Sequence, residues 1–188
     1  MPRKKFSTAH DNDPANVERT NNLRLVNSGE IRHPNKVILC GEFNKSPNSI
    51  FGSSDAGGTA YKSHRPVNAV KVEPYDSSNA DLGNDTTVFD GEYYNDFMGT
   101  REIYQLTAEE ARNTIEAVEA DASVGPTTHH ISYIDPNAHG DGSNYLFADG
   151  HAEKLTLEET MAEDDYLWGD KVYSCAYQPE ILPASEAP

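Results

Sequence analysis

The stretch HGDGSNYLFADGHAEKL, residues 139–155, decides the fold. Two strand-like runs, 144–148 and 151–155, flank Asp149-Gly150. Asp-Gly between two such runs is a strong hairpin signal, because Gly favours positive φ and Asp tolerates it. We therefore predict a β-hairpin closed by a type I′ turn, with positive φ at both central residues.

Two capping boxes mark the predicted helices. In Thr107-x-x-Glu110 the Thr hydroxyl can accept a hydrogen bond from the third backbone amide while the Glu bonds back to the cap. Apolar residues then recur at helical spacing until Gly125-Pro126: Ala108, Ala111, Ile115, Val118 and Ala122. This pattern predicts an amphipathic helix with an acidic outer face. Thr156-x-x-Glu159 predicts a second, short helix that extends to about residue 165.

Short apolar or alternating runs predict the other strands: 36–43 (KVILCGEF), 68–73 (NAVKVE), 127–134 (TTHHISYI) and 171–177. Residues 44–66, rich in Gly, Ser, Asn and Pro, are predicted as a long loop. The layout indicates an α+β fold with a small, mostly antiparallel sheet, a covering amphipathic helix and long loops.

The length of 188 residues favours one globular domain, and only 36% of the residues are hydrophobic, which is typical of a modest core with long polar loops. We expect residues 1–30 to be disordered or loop-rich, 31–177 to form the domain, and 178–188 to be a flexible tail.

The formal net charge of −16 bears on partners. It argues against nucleic acid and anionic lipid surfaces, which such a field repels, and is compatible with divalent cations. The sequence has no apolar run long enough for a transmembrane helix and no signal-peptide pattern. Cys40 and Cys175 form no C-x-x-C pair, so they are either a disulfide in an oxidising compartment or two separate, mostly buried thiols.

A family resemblance rests on the same decisive stretch. His139 is followed by nine residues and then Asp149-Gly150, within NYLFADGH at 144–151. This segment resembles the C-terminal signature of the H-x9-DG proteins, which are similar to type IV prepilins and type II secretion pseudopilins. The run HPNKVILCGE at 33–42 is similar to a strand of that family. The segment 155–174, which contains Trp168-Gly169 and Tyr173-Ser174, is similar to the family's ending.

The resemblance covers roughly residues 30–177. It implies a non-enzymatic structural or assembly protein with a pilin-head-like fold: the globular head of a pseudopilin-like subunit at the bacterial cell envelope, on its periplasmic or extracellular face. Its partners would be other pilin-like subunits or secretion-system components. His139, Asp149, Gly150, Trp168 and Gly169 would be structural.

The chain departs from the family at its start. Family members begin with a basic leader, a Gly-Phe cleavage site and a long apolar helix bearing an early Glu, and none of these occurs here. Contact with a membrane would need that helix. We expect the chain to be either a fragment that begins at an internal Met or a leaderless relative, and favour the fragment.

Oxygen-bearing side chains around His139 suggest a cation site. Some pseudopilins similar to this chain carry calcium in their C-terminal loop, and hard oxygen ligands on a flexible loop suit that ion. The candidate ligands are Asp135, Asn137, His139, Asp141 and Asp149. The EF-hand pattern is not met. The alternative, which we favour, is structural: His139 bonds backbone groups of the hairpin, and Asp149 satisfies its own turn.

The sequence does not favour a catalytic function. His129, His130, His139 and His151 lie near Asp residues, but no compact zinc-ligand spacing and no G-x-S-x-G elbow is present. In a strand His129 and His130 would face opposite sides, so that the two could not easily hold one metal.

A binding module is the alternative function. The acidic, aromatic segment 74–100 would bind a glycan by ring stacking, with calcium assisting. Its aromatic residues are Tyr75, Phe89, Tyr93, Tyr94 and Phe97. The other interpretation of these rings is loop packing.

Overall fold

The computed structural model describes residues 26–53, 59–61, 67–72, 102–121, 129–173 and 180–187. The predictions for residues 1–25, for 74–100 with its aromatic residues, for Gly125-Pro126 and for Cys175 lie outside these residues. The fold is α+β, as predicted, with two small three-stranded sheets that are mostly antiparallel.

The strands, in chain order, are β1 (Ile38–Gly41), β2 (Phe51–Ser53), β3 (Thr59–Tyr61), β4 (Val70–Val72), β5 (Ile103–Gln105), β6 (Ser143–Phe147), β7 (Ala152–Leu155) and β8 (Ile181–Leu182). The α-helices are α1 (Pro47–Ile50), α2 (Ala108–Ala120) and α3 (Leu157–Thr160). Short 3-10 helices span Ser28–Glu30, Pro34–Lys36, His130–Tyr133, Glu163–Asp165 and Ala184–Glu186. None of the described helices has the length and apolar character that crossing a membrane requires.

The first sheet has the order β1-β6-β7 and is antiparallel throughout. The second has the order β4-β5-β8, in which β4 and β5 are antiparallel and β5 and β8 are parallel. A separate hairpin joins β2 to β3. The sequence pattern predicts a single sheet and no strand or helix at residues 101–106, where β5 lies.

Both capping boxes are confirmed. At the start of α2 the Thr107 hydroxyl accepts the Glu110 N–H at 3.2 Å, and the Glu110 carboxylate accepts the Thr107 N–H at 2.9 Å. Thr156 and Glu159 repeat this exchange at the start of α3. Each box satisfies backbone donors that the first turn of a helix leaves unpaired, which fixes where each helix begins.

Helix α2 buries one face. Ala111 and Ile115 belong to the same core as Tyr145 and Phe147 of β6. Leu157, Met161 and Tyr166 complete that core from the C-terminal side. Each large apolar side chain removed from water in this way contributes about 1.5–3 kcal/mol, so this contact holds the helix against the first sheet.

Tyr166 links the core to the second sheet. Its fully buried hydroxyl donates a hydrogen bond to the carbonyl of Ala69, just before β4, and accepts the Leu106 N–H, just after β5, at 3.2 Å. Burial raises the pKa of this hydroxyl.

The prediction of a long loop at 44–66 is wrong in the part that the structure describes. The described part holds α1 and the β2–β3 hairpin. Pro47 opens α1, where its missing N–H costs nothing. Elements of three or four residues contain too few apolar positions to show a period, which is why the composition suggested a loop.

The predicted strand at 127–134 is also wrong in its described part. Residues His130–Tyr133 form a 3-10 helix closed by local bonds from Ser132 N–H to His129 C=O and from Ile134 N–H to Ile131 C=O, both 3.0 Å. Only Ile134 makes a strand-like bridge, to Phe43. His129 and His130 therefore do not face opposite sides of a sheet. The β-branched residues favoured a strand in the prediction. In the structure Ile131 is buried by tertiary packing, and this packing outweighs its strand propensity.

The C-terminal predictions need two corrections. The predicted strand at 171–177 is reduced, in its described part, to an isolated bridge from Lys171 to Glu180. The tail was expected to be flexible, but β8 pairs with β5 through Ile103–Ile181 and Tyr104–Leu182. The Pro- and Ala-rich composition of the tail hid a two-residue strand whose partner is distant in sequence.

Candidate functional site

His139, the first residue of the His139-x9-Asp149-Gly150 signature, lies where the end of β1 meets the start of β6. The register pairs Gly41 with Tyr145, so Glu42, the next residue after β1, lies across from Asn144. The chain before β6 runs through the loop 135–142, which returns to the same place. Antiparallel pairing of β1 and β6 thus brings Glu42 and His139 together.

Glu42 is the centre of this site. Its Oε1 lies 2.9 Å from His139 Nε2, and its Oε2 accepts the Ser143 hydroxyl at 3.0 Å and the Asn144 N–H at 2.8 Å. Its backbone carbonyl accepts the Asp135 N–H at 2.9 Å. We call Glu42, His139, Ser143 and Asn144 the Glu42 anchor.

The anchor lowers the pKa of its own carboxyl group. The Asn144 N–H, with help from His139 and Ser143, lowers the pKa of Glu42 to about 2, against the opposing effect of burial. A carboxylate that accepts several hydrogen bonds is stabilised in its charged form. Since 35% of the Glu42 side chain and 50% of the His139 side chain are exposed, solvent screens part of this energy.

The loop between His139 and β6 is tight. The His139 N–H donates to the Gly142 carbonyl at 2.9 Å, and Gly140 adopts φ 89°. A Cβ added at Gly142 would lie 2.7 Å from the Leu155 carbonyl oxygen of β7. Glycine at 142 is therefore required by close backbone approach.

The other end of the signature closes the hairpin differently from the prediction. The Phe147 N–H donates to the His151 carbonyl and the Gly150 N–H to the Phe147 carbonyl, which makes a three-residue loop, 148–150. Gly150 has φ 93°, whereas Asp149 does not have positive φ, so the type I′ turn is wrong. The pattern is that of a turn followed by a glycine bulge.

Asp149 satisfies its own turn, as expected. Its Oδ1 accepts the His151 N–H at 3.1 Å and lies 2.5 Å from His151 Nδ1. The hydrogen bond from the His151 N–H contributes most, and the one with the His151 ring contributes next, to lowering the pKa of Asp149. The His151 ring stacks on Phe147 with centroids 4.2 Å apart, which fixes its direction.

Trp168 and Gly169 lie beside β1, at the edge of the first sheet opposite β7. Trp168 bridges to Val37 just before β1, and its ring meets Tyr145 edge to face at 6.2 Å. Gly169 turns the chain with φ 96°.

The five candidate calcium ligands do not converge on one point. Asp135 accepts the Asn137 N–H at 3.0 Å and lies 3.4 Å from Lys45 Nζ. Asp141 pairs with Lys154 at 2.7 Å. His139 contacts Glu42, and Asp149 contacts His151. Within the described ranges, no three His, Cys, Asp or Glu side chains gather as a metal site.

The polar groups of the Glu42 anchor are not arranged as a nucleophile, a general base and a group that orients the base. The buried Ser143 hydroxyl donates to Glu42, and His139 binds the other oxygen of the same carboxylate. A nucleophile needs a base that accepts its proton and a third group that orients that base. His130 lies elsewhere, with Nδ1 3.1 Å from Asn68 Nδ2. A carboxylate surrounded by donors in this way orders a loop.

Sequence reasoning missed Glu42 and Ser143. It also expected His139 to bond the hairpin backbone, whereas the ring contacts a side chain. Cys40, expected to be either in a disulfide with Cys175 or a mostly buried thiol, is a free, exposed thiol. The signal for Glu42 was its position directly after a strand, but using it needed the β1–β6 register. Searches of protein-family models, curated proteins and solved structures returned no match.

Proposed function

We propose that this chain is a non-enzymatic assembly protein, the globular head of a pseudopilin-like subunit of a type II secretion or type IV pilus-like system. The observation that carries the proposal is the set of contacts made by the residues of the His139-x9-Asp149-Gly150 signature. Its first residue binds Glu42 and its last two close the hairpin. Residues engaged in this way serve a scaffold.

The outer face of the first sheet supports an assembly role. Leu39 is 55% exposed and Leu146 is 40% exposed. Cys40 and Leu146 are cross-strand partners, and Leu39 occupies the adjacent bulge in β1. Clustered apolar side chains at a surface are typical of contacts with other proteins. In a filament this face would pack against a neighbouring subunit.

The gene gives the first test. The coding sequence 5′ of Met1 is expected to encode a basic leader, a Gly-Phe cleavage site and an apolar helix with an early Glu. An in-frame stop codon directly before Met1 would contradict this expectation.

A second test measures assembly in the cells that produce the protein. Surface filaments are sheared from cells and probed for the chain by immunoblotting. We expect the wild type and the control Glu116→Gln, on the exposed side of α2, in the filament fraction. Leu146→Glu should be reduced there while its cellular level stays the same. Equal recovery of Leu146→Glu would count against packing through this face.

A further inference from the structure

Strand β7 has an unpaired edge. Within the described residues it pairs with β6 on one side and with no strand on the other. The hydrogen bond from Phe147 N–H to His151 C=O determines which β7 residues direct their backbone groups toward β6. His151, Glu153 and Leu155 therefore direct their backbone groups to β6, while Ala152 and Lys154 direct theirs outward. An edge of this kind is a template for another strand.

A groove of about 470 Å³ runs beside this edge, on the face where Glu153 and Leu155 point. Phe147, Leu155 and Leu167 give it an apolar floor. A strand added to β7 would direct every second side chain into this groove, because side chains alternate between the faces of a sheet.

The rim of the groove is acidic. It carries Glu153, Glu159 and Asp165, whereas its one lysine, Lys36, pairs with Asp165 at 2.5 Å. Bonds from the backbone and hydroxyl of Thr156 lower the pKa of Glu159, so its charge persists near neutral pH. Glu153 is exposed. A basic side chain that enters the groove would meet these carboxylates.

We propose that β7 binds an extended peptide segment of a partner protein by strand addition, with a Lys or Arg opposite Glu153 and apolar residues opposite Ala152 and Lys154. Backbone bonds at Ala152 and Lys154 would supply affinity, and the acidic groove would supply selectivity. The apolar flanks would extend the surface formed by Ala152 and Leu146, which are cross-strand partners.

Charge favours such a partner over a second copy of this chain. The net charge of −16 makes two copies repel, while the same charge attracts a basic segment. The proposal does not depend on the pseudopilin assignment, since it uses only the strand edge and its groove.

The test uses the full ¹⁵N-labelled chain and three acetylated, amidated peptides. The first is Ser-Val-Arg-Val-Thr-Ser, the second has Glu in place of Arg, and the third is the first with both valines N-methylated. We expect the first to shift the amide signals of Ala152 and Lys154 and to bind about tenfold more tightly than the second, which is 1.4 kcal/mol. The third should not bind, because it lacks the donors that pair with β7.

Charge reversal in the protein gives the matched comparison. Glu153→Lys should remove the preference for the Arg peptide, whereas Glu116→Lys, the same change on the exposed side of α2, should keep it. Equal melting temperatures of the two variants show that folding is not the cause.

The proposal is overturned by equal affinities for the Arg and Glu peptides, or by chemical-shift changes confined to residues other than those of β7. Slow hydrogen exchange of the Ala152 and Lys154 amides with solvent in the free monomer would mean that the chain covers its own edge, and would also overturn the proposal. If that exchange slows as the protein concentration rises, a second copy of the chain covers the edge, and the proposal is again overturned.

Discussion

The carboxylate of Glu42 accepts the backbone N–H of Asn144, 102 residues later in the chain, at 2.8 Å. The contact joins the end of β1 to the start of β6, while His139 and Ser143 bind the same carboxylate. A single side chain therefore fixes the loop that leads into the hairpin. Donors from three different residues make the charged form of Glu42 the form that the fold requires.

Replacing Glu42 with Gln should destabilise the protein by about 1–2 kcal/mol at pH 7. Bonds to a charged group contribute more than neutral ones, and the exposure of the side chain keeps the value at the low end. Urea unfolding at pH 7 measures the change. Glu116→Gln on α2 is the control and should leave the free energy of unfolding within about 0.5 kcal/mol of the wild type.

Stability should also depend on pH through Glu42. Its pKa is about 2 in the folded protein and is expected near 4.5 when unfolded, so its contribution is complete above about pH 4.5 and is lost as the pH falls toward 2. Across this window the Glu42→Gln variant should lose less stability than the wild type. Identical losses in the two proteins would mean that Glu42 does not carry this dependence.

The hairpin turn should require glycine at 150. Gly150→Ala places a side chain at φ 93°, which costs about 1–2 kcal/mol even though nothing lies within 4 Å of the added Cβ. Gly29→Ala is the control, because its Cβ also meets nothing within 4 Å and its φ is not positive. Melting temperatures compare the pair, and an equal effect of both changes would exclude backbone strain as the cause.

Tyr166→Phe should destabilise the protein by about 1–2 kcal/mol. The change removes the donor to the Ala69 carbonyl and the acceptor of the Leu106 N–H in a fully buried position. Those two backbone groups keep their bond to each other at 2.9 Å, which limits the loss. Chemical denaturation measures it. A Phe variant as stable as the wild type would show that the hydroxyl does not stabilise the link between the core and the second sheet.

Removing divalent cations should leave the melting temperature unchanged. His139, Asp141 and Asp149 each bind a protein group, and a ligand bound only by the native state would have to stabilise it. Calorimetry with excess chelator, and then with calcium restored, tests this. A fall that calcium reverses would support the calcium hypothesis for the loop at 135–141.

Local signals carried the successful sequence predictions. The capping boxes at Thr107 and Thr156 and the Asp149-Gly150 hairpin each depend on residues at most a few positions apart, and all three are present. β1 and β4 also lie within their predicted runs.

Several of the failures share one physical cause, which is that the stabilising partner is distant in the sequence. Strand β5 has three residues, all buried, and is defined by pairing with β4 and β8. The 3-10 helix at His130–Tyr133 contains residues that favour strands, yet packing decides its form. Glu42 acquires its role only when β1 pairs with β6, and no local pattern around it predicts that pairing.

The pKa of Glu42 tests the central claim most directly. Titration of its side-chain carboxyl by ¹³C NMR, assigned through the Glu42→Gln variant, should give a midpoint of about 2, because Asn144, His139 and Ser143 hold the charged form. A midpoint near 4.5 would contradict the account, since the carboxylate would then not be held by the residues that anchor the hairpin.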